Sequence, residues 1–217
     1  MKTFKQFLKE SVLSKESILE WLKEHDFYYN ESKYKINGET VDVQNDVKLF
    51  NVIGKIPFQF GKVAYDFDCS NNQLTTLEGC PKEIGGSFWC QNNKLKNLKG
   101  SPSKVGNYYM CSNNDLVSLE GCPKEINDGF DCSSNKLSTL KFGPQKINGD
   151  FDCSNNQLKD LKFGPTYVKG PYNCMSNKLI SLDGLGKVGK SLFVVDNPNL
   201  QIDDEYIKNV GKDIVKG

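Results

Sequence analysis

The sequence predicts an α/β-type solenoid, a single elongated domain in which short coils stack and share one parallel β-sheet. Three observations predict it. Six cysteines recur every 21 residues, an aromatic residue precedes each by two positions, and an Asn follows each by three. The cysteines are Cys69, Cys90, Cys111, Cys132, Cys153 and Cys174. Self-similarity at a short fixed period is typical of solenoids, because one coil cannot bury its inner face alone whereas stacked coils bury it together.

Each repeat continues with two leucines, and most copies then have a proline followed by Ile or Val. The unit reads aromatic-x-Cys-x-x-Asn-x-Leu-x-x-Leu-x-Gly-x-Pro-x-x-Ile/Val. Alternate side chains of a strand share a face, so the aromatic residue and the Cys are expected to point inward together. The Asn follows where the chain leaves the strand, and its side chain can bond backbone groups of the stacked turns. Gly-x-Pro then bends the segment that leads from the end of one strand back to the next strand, which we call the return limb.

This unit resembles the leucine-rich repeat, whose core pattern is L-x-x-L-x-L-x-x-N/C-x-L. Its short length and the Pro in the return segment make it most similar to the short repeats of bacterial members. The first Leu of the family pattern has no match here, because Ile or Val lies one residue further upstream. The resemblance implies a leucine-rich-repeat domain whose return to the strand differs locally.

The cysteines are predicted to be free thiols in the core. Parallel strands about 4.8 Å apart hold neighbouring Cβ vectors parallel, which does not suit a disulfide. The spacing contains no C-x-x-C pair of the kind that binds metal. A thiol fills a narrow interior position well. Cys80 and Cys122, in the return limb, are expected to be buried too, and eight reduced cysteines indicate a reducing compartment.

Composition argues against several functional classes. The net charge is +1 and every basic residue is Lys, whereas bidentate recognition of phosphate or guanine favours Arg. No run is long enough for a membrane span, and no secretory segment follows Met1. The single His, His25, is expected to be solvated on a surface helix, where it would have to support any Ser-His or Cys-His chemistry alone. We therefore expect a monomer that is neither secreted nor bound to a membrane, with no catalytic residues, cofactor, metal or specific nucleic acid.

Residues 1–27 are interpreted as a targeting-like peptide and a helix. The opening Met-Lys-Thr-Phe resembles the capsid-targeting peptide of internal head proteins of large tailed phages, which a phage protease cuts after the Glu of an aliphatic-x-Glu motif. Leu8, Lys9 and Glu10, followed by Ser11, match that motif. The resemblance implies cleavage between Glu10 and Ser11, packaging in a virion and delivery to the host cytoplasm. The alternative is an amphipathic helix, packed on the end of the solenoid, because the apolar residues of this stretch have helical spacing.

The rest of the chain divides into caps and repeats. A helix over 14–27 should have Ser14 as its N-cap. Residues 28–57 should form a hairpin turning at Asn37-Gly38, followed by a shortened repeat. Residues 58–200 hold six full repeats and one degenerate repeat, and 201–217 should form a C-terminal capping helix that Asp203 or Asp204 caps. The apolar residues expected inward in these caps are Ile18, Trp21 and Leu22, then Val47, Leu49, Ile53 and Ile56, and finally Tyr206, Ile207, Val210 and Ile214.

Function is expected on the outward strand positions, which lie three and one residues before each Cys and one after it, on the concave surface of the solenoid. Trp89, Tyr108 and Met110 should form one exposed patch there, and Met175, Phe193 and Val195 a smaller one. Three aspartates of the same surface are predicted to flank the first patch, Asp68 on one side and Asp131 and Asp152 on the other. We expect all three to be solvated and interpret them as negative surface, since the repeats lack the loop pattern of a calcium site.

An exposed aromatic and Met cluster between charges has the composition of a protein-binding hot spot. The leading hypothesis is a non-enzymatic module that a phage delivers to bind and inhibit a host defence or regulatory protein. The alternative is a structural or assembly component of a phage particle that binds a phage protein. An idle surface, or one covered by another part of the same chain, also remains open.

Overall fold

In the computed structural model, which describes residues 13–216, the chain forms a solenoid of stacked parallel strands. Two helices and four strands precede the regular repeats: α1 (Lys15–His25), a 3-10 helix (Glu31–Lys33), β1 (Tyr34–Asn37), β2 (Thr40–Val43), β3 (Val47–Lys48) and β4 (Ile53–Gly54). The next strands are β5 (Gln59–Val63), β6 (Phe67–Asp68), β7 (Gln73–Leu74), β8 (Glu83–Ile84), β9 (Phe88–Trp89), β10 (Lys104–Val105), β11 (Tyr109–Met110) and β12 (Glu125–Ile126). The chain ends with β13 (Phe130–Asp131), β14 (Lys146–Ile147), β15 (Phe151–Asp152), β16 (Tyr167–Val168), β17 (Tyr172–Asn173), β18 (Lys187–Val188), β19 (Leu192–Phe193), a 3-10 helix (Asp204–Asn209) and β20 (Ile214–Val215).

The main sheet has nine parallel strands in the order β3-β6-β9-β11-β13-β15-β17-β19-β20. Equivalent residues of successive repeats pair in register, as Phe88 does with Tyr109. The inward orientation of the aromatic residues and cysteines is confirmed, because all six ladder cysteines have 0% of their surface exposed. All eight cysteines are buried and none forms a disulfide. The repeat therefore places a continuous column of apolar side chains behind this sheet.

The prediction of one sheet was wrong, because the Ile/Val positions form further ladders. Strands β12, β14, β16 and β18 make a parallel four-stranded sheet, and β5, β8 and β10 continue from the β1–β2 hairpin in a five-stranded one. A two-stranded sheet pairs β4 with β7. The return limb is extended at Ile84, whose carbonyl accepts from Gly106 N at 3.0 Å. When an extended segment stacks on the equivalent segment of the next coil, the backbone N–H groups of one lie opposite the C=O groups of the other. A second ladder of backbone hydrogen bonds therefore forms.

A ladder of buried amides joins the coils where they leave the main sheet. Asn135 donates through Nδ2 to the carbonyls of Cys111, Cys132 and Ser133 at 3.0–3.1 Å. Its Oδ1 accepts from Leu116 N at 3.0 Å. The same pattern recurs through the Asn ladder, which comprises Asn72, Asn93, Asn114, Asn135, Asn156, Asn177 and Asn197. Each Asn thus bonds backbone of its own coil and of the preceding coil, as its position in the repeat predicted.

The residue before each Asn of the ladder has left-handed backbone. These residues have φ between 52° and 57° and are Asn71, Asn92, Asn113, Ser134, Asn155, Ser176 and Asp196. Asn and Asp tolerate this conformation better than other non-glycine residues. The recurring Asn-Asn pairs therefore have two roles, because the first residue makes the turn and the second bonds the coils. The sequence interpretation identified only the second role.

The N-terminal cap follows the prediction in most respects. Ser14 Oγ accepts from Ser17 N at 3.2 Å at the start of α1, whose buried residues are Ile18, Trp21 and Leu22. Gly38, with φ 59°, lies in the turn between the antiparallel strands β1 and β2. His25 is half-buried rather than solvated, because its ring stacks on Trp21 at 4.3 Å and its Nδ1 lies 2.9 Å from the Trp21 carbonyl.

One predicted core residue of the shortened repeat was wrong. Ile53 is 74% exposed, and Val52 is buried in its place. Val52 N donates to Asn72 Oδ1 at 2.8 Å, the bond that Leu74 N makes to the next Asn of the ladder. Val52 therefore occupies the first leucine position, and Ile53 turns outward. Val47, Leu49 and Ile56 are buried as predicted.

The C-terminal segment also differs from the predicted capping helix. A six-residue 3-10 helix is followed by β20, and Ile207 is 53% exposed. At the N-cap of this 3-10 helix, Asp203 makes no side-chain capping bond within residues 13–216. Val210 bridges to Val188, and Ile214 pairs with Leu192, each 22 residues apart. Val210-Gly211-Lys212 thus repeats Val188-Gly189-Lys190, and the chain adds a partial coil instead of a helix. No helix within residues 13–216 is both long and apolar enough to cross a membrane.

Candidate functional site

The outward side chains of the main sheet form what we call the sheet face, made by the residues three and one before each Cys position and one after it. Between β3 and β19 these positions hold one Lys and six Asp residues: Lys48, Asp46, Asp66, Asp68, Asp131, Asp150 and Asp152. The chain as a whole has a net charge of +1. The sheet face is therefore negative, although the whole chain is slightly positive.

Trp89 and Asp68 lie opposite one another on neighbouring strands of this face. With Tyr28 and Lys48 they line a shallow depression of about 150 Å³. The expectation that Asp68 is solvated was wrong, since only 8% of it is exposed. Its Oδ1 accepts from Ser70 N at 2.9 Å, and its Oδ2 lies 3.6 Å from Lys48 Nζ. Flanking side chains on both sides, Trp89 and Lys48, account for this burial.

Tyr108 and Met110 line a second depression of about 230 Å³, together with Asp131, Asp150 and Asp152. Tyr108 is 45% exposed. Its ring leans over Gly129, where a Cβ atom would lie 2.9 Å from two ring carbons. The negative charge of Asp128, followed by burial, raises the pKa of Tyr108. Glycine at this position therefore allows the ring to lie along the sheet beside the carboxylates.

The predicted patch of Trp89, Tyr108 and Met110 is divided between these two depressions. Met110 pairs in register with Trp89 on the neighbouring strand and so marks the boundary between them. Of the predicted smaller group, Met175 and Phe193 share one depression of about 320 Å³, whereas Val195 is not among its lining residues. That third depression also contains Pro171 and Asn173, and Asp150 and Asp152 form a wall between it and the second.

Asp131 and Asp152 are tied to the backbone of their own strand ends. Each accepts through Oδ1 from the N–H two residues further on, at Ser133 and Ser154, with both distances 2.8 Å. Asp152 Oδ2 also accepts from Asn173 Nδ2 at 2.9 Å. These bonds fix the positions of both carboxylates, which remain partly exposed on the sheet face. Each aspartate thus holds the strand end and contributes a negative charge to the face.

Asp150 is the carboxylate that sequence reasoning missed as a site residue. In earlier coils the equivalent aspartates bond the next coil, since Asp46 accepts from Asp66 N at 2.9 Å and Asp66 accepts from Ser87 N at 2.7 Å. The residue one coil after Asp150 is Pro171, which has no N–H to donate. Within residues 13–216 the Asp150 carboxylate makes no hydrogen bond or ion pair. The Pro at this repeat position was the available sequence signal.

Comparison with protein-family models, with curated proteins and with solved structures finds no match. The functional interpretation therefore depends on the residues of the chain itself. In the described part of the chain, no group of three or more His, Cys, Asp or Glu side chains is placed to hold a metal ion. The predicted processing residues Glu10 and Ser11 lie outside the described residues.

Proposed function

We propose that this protein is a non-enzymatic protein-binding module and that the sheet face is its binding surface. The observation that carries the proposal is the row of three depressions along that face, each with apolar walls and at least one carboxylate. Aromatic and Met side chains in partly enclosed positions are typical of the anchors of protein interfaces. Specificity would come from the charges at their edges.

The backbone beneath the sheet face supports this function because it is preformed. Strand pairing holds it in register, and the Asn ladder ties each coil to the next. A surface that does not reorganise on binding loses little conformational entropy, which favours affinity. We further infer that the chain is a leucine-rich-repeat protein of the short type, on the basis of the repeat pattern and the interior Asn at the end of each main-sheet strand.

The experiment is affinity capture with the tagged protein, identification of the captured partner, and measurement of its dissociation constant with purified variants. Trp89→Ala should weaken binding about thirtyfold, because truncation of a central aromatic anchor typically costs about 2 kcal/mol. The matched control is Ile180→Ala, since Ile180 is 56% exposed and lies outside the sheet face. Equal affinity of both variants would show that the binding surface is elsewhere.

The context of binding is proposed from the N-terminal residues alone. We propose that the chain is packaged in a phage head, cut between Glu10 and Ser11, and delivered to bind and inhibit a host protein. Sequencing of the N-terminus from purified particles should find Ser11 first. An intact Met1, or absence of the chain from particles, would contradict packaging, and recovery of a particle protein as the partner would favour an assembly role.

A further inference from the structure

The second depression of the sheet face has the chemistry of a cation-binding pocket. The residues that line it include Tyr108 and three aspartates, Asp131, Asp150 and Asp152. Among the described residues, its lining contains no basic side chain that would neutralise these carboxylates. An aromatic face attracts cations through its quadrupole, and carboxylates bind ammonium and guanidinium groups through charge-assisted hydrogen bonds.

The three carboxylates differ in how many of their oxygens already accept a hydrogen bond within residues 13–216. Asp131 uses one oxygen for Ser133 N, and Asp152 uses both, for Ser154 N and Asn173 Nδ2. Asp150 uses neither oxygen within residues 13–216, because Pro171 stands where earlier coils supply an N–H. Asp150 is therefore the acceptor in this pocket with the most capacity for an incoming donor.

The third depression lies directly beside the second and has different chemistry. Met175, Phe193 and Pro171 give it apolar walls, and Asp150 and Asp152 separate it from the second depression. The two depressions are displaced by two coils, which is about 10 Å at about 4.8 Å per strand. An extended segment in the polyproline II conformation crosses that distance with about three residues at about 3.1 Å each, and its side chains at i and i+3 point to the same side because it has three residues per turn.

We propose, on the basis of the proposed binding function of this face, that its partner presents an extended segment with a Lys or Arg side chain and an apolar side chain about three residues apart. The basic group enters between Tyr108 and Asp150, and the apolar group packs against Met175 and Phe193. The surplus of aspartate over lysine on the sheet face attracts such a segment and repels acidic ones.

A random-peptide library is the probe for this inference. Selection on the immobilised full chain should enrich peptides with Lys or Arg about three residues from an apolar residue. A synthetic peptide of the selected sequence should bind Asp150→Asn about tenfold more weakly than the unaltered chain, since one charge-assisted bond is lost. Asp203→Asn is the matched control, because Asp203 is exposed, lies outside the sheet face and, among the described residues, makes no side-chain capping bond at its helix end.

A double-mutant cycle then assigns the basic side chain to its pocket. Replacement of the Lys or Arg of the peptide by Gln should weaken its binding to the unaltered chain about tenfold. The same replacement should weaken binding to the Asp150→Asn variant by little more. An equal loss against both proteins would overturn the inference. Self-association of the chain that Asp150→Asn abolishes would also overturn it, because a second copy would then be the occupant.

The selection also separates this inference from the proposed function. Enriched peptides that require Trp89 or Phe193 but contain no basic residue would overturn the inference and leave the binding face in place. Enrichment that no sheet-face substitution alters would overturn both.

Discussion

The Tyr109 hydroxyl lies 2.7 Å from the hydroxyl of Ser101, and this bond satisfies a polar group in the core of the solenoid. Tyr172, the other tyrosine among the buried aromatic residues that precede the repeat cysteines by two positions, has no such partner in the described part of the chain. Gly164 lies eight residues before Tyr172, the spacing at which Ser101 precedes Tyr109, and the buried Tyr172 hydroxyl makes no hydrogen bond within residues 13–216. The adjacent Cys153 thiol is a weak acceptor. The two tyrosines therefore have opposite energetic roles at equivalent positions.

Tyr172→Phe should raise the free energy of unfolding by about 1 kcal/mol, because it removes a buried hydroxyl that lost its water without gaining a partner. Tyr109→Phe should lower it by about 1 kcal/mol, because it breaks the bond to Ser101. Urea unfolding monitored by fluorescence measures both values. Destabilisation by Tyr172→Phe would mean that the Cys153 sulfur satisfies the hydroxyl after all.

Asn135→Ala should lower the free energy of unfolding by about 3 kcal/mol, because buried backbone groups of two coils lose their partner and each costs about 1–3 kcal/mol. Asn107→Ala is the control, since Asn107 is exposed and its side chain makes no hydrogen bond within the described residues. Its substitution should change stability by less than about 0.5 kcal/mol. Similar losses in both variants would contradict a special role for the Asn ladder.

Ser134→Asn should stabilise the protein by about 0.5 kcal/mol, because Asn adopts left-handed backbone at lower cost than Ser. Ser134 has φ 54° at a position where the neighbouring coils carry Asn113 and Asn155. The new amide could also bond its neighbours, as Asn92 Nδ2 does with Asn71 Oδ1 at 2.9 Å. Asn155→Ser should have the opposite effect, and thermal melting compares the pair. Equal melting temperatures in all three proteins would show that the conformation costs Ser nothing extra.

Stability should fall as the pH rises above about 8.5, where thiols of the unfolded chain ionise. Burial raises the pKa of seven thiols: Cys69, Cys90, Cys111, Cys122, Cys132, Cys153 and Cys174. Because the folded pKa is the higher one, their contribution is complete below the unfolded pKa and is lost as the pH rises towards the folded pKa. Each contributes a slope of up to about 1.4 kcal/mol per pH unit.

Urea unfolding between pH 7 and pH 10 measures this slope, and Cys132→Ala should make it shallower. Alkylation followed by mass spectrometry provides an independent check, since the buried thiols should react only after unfolding. Modification of the ladder cysteines in the native protein, or disulfide-linked peptides among them, would contradict the packing.

The repeat itself determined most of the architecture. An aromatic residue and a Cys recur at alternate positions in six coils, so only the strand face that carries them can be the buried one. An Asn at the end of the strand is placed to hydrogen-bond the backbone groups that have no partner in the sheet. The inward direction of Phe130 and Cys132 and the backbone bonds of Asn135 could be predicted because the residues around each of them are its equivalents in the neighbouring coils. The left-handed turn at Ser134 could also have been predicted from the Asn-Asn pairs in the equivalent coils.

Tertiary structure decided those features of a residue that depend on which residue lies next to it in the neighbouring coil. Ile53 and Val52 are both apolar, and the hydrogen bond that Val52 N donates to Asn72 Oδ1 selects Val52 as the residue that points inward. Ile214 suits a helix or a strand, and pairing with Leu192 makes it a strand. Asp68 is buried because Lys48 and Trp89 flank it, whereas Asp150 is left without a donor because Pro171 follows it. Local pattern determines the direction of a side chain where the coil keeps the regular repeat, but the stacked neighbour determines it in the irregular coils at the two ends, and in every coil it determines whether polar atoms find a partner.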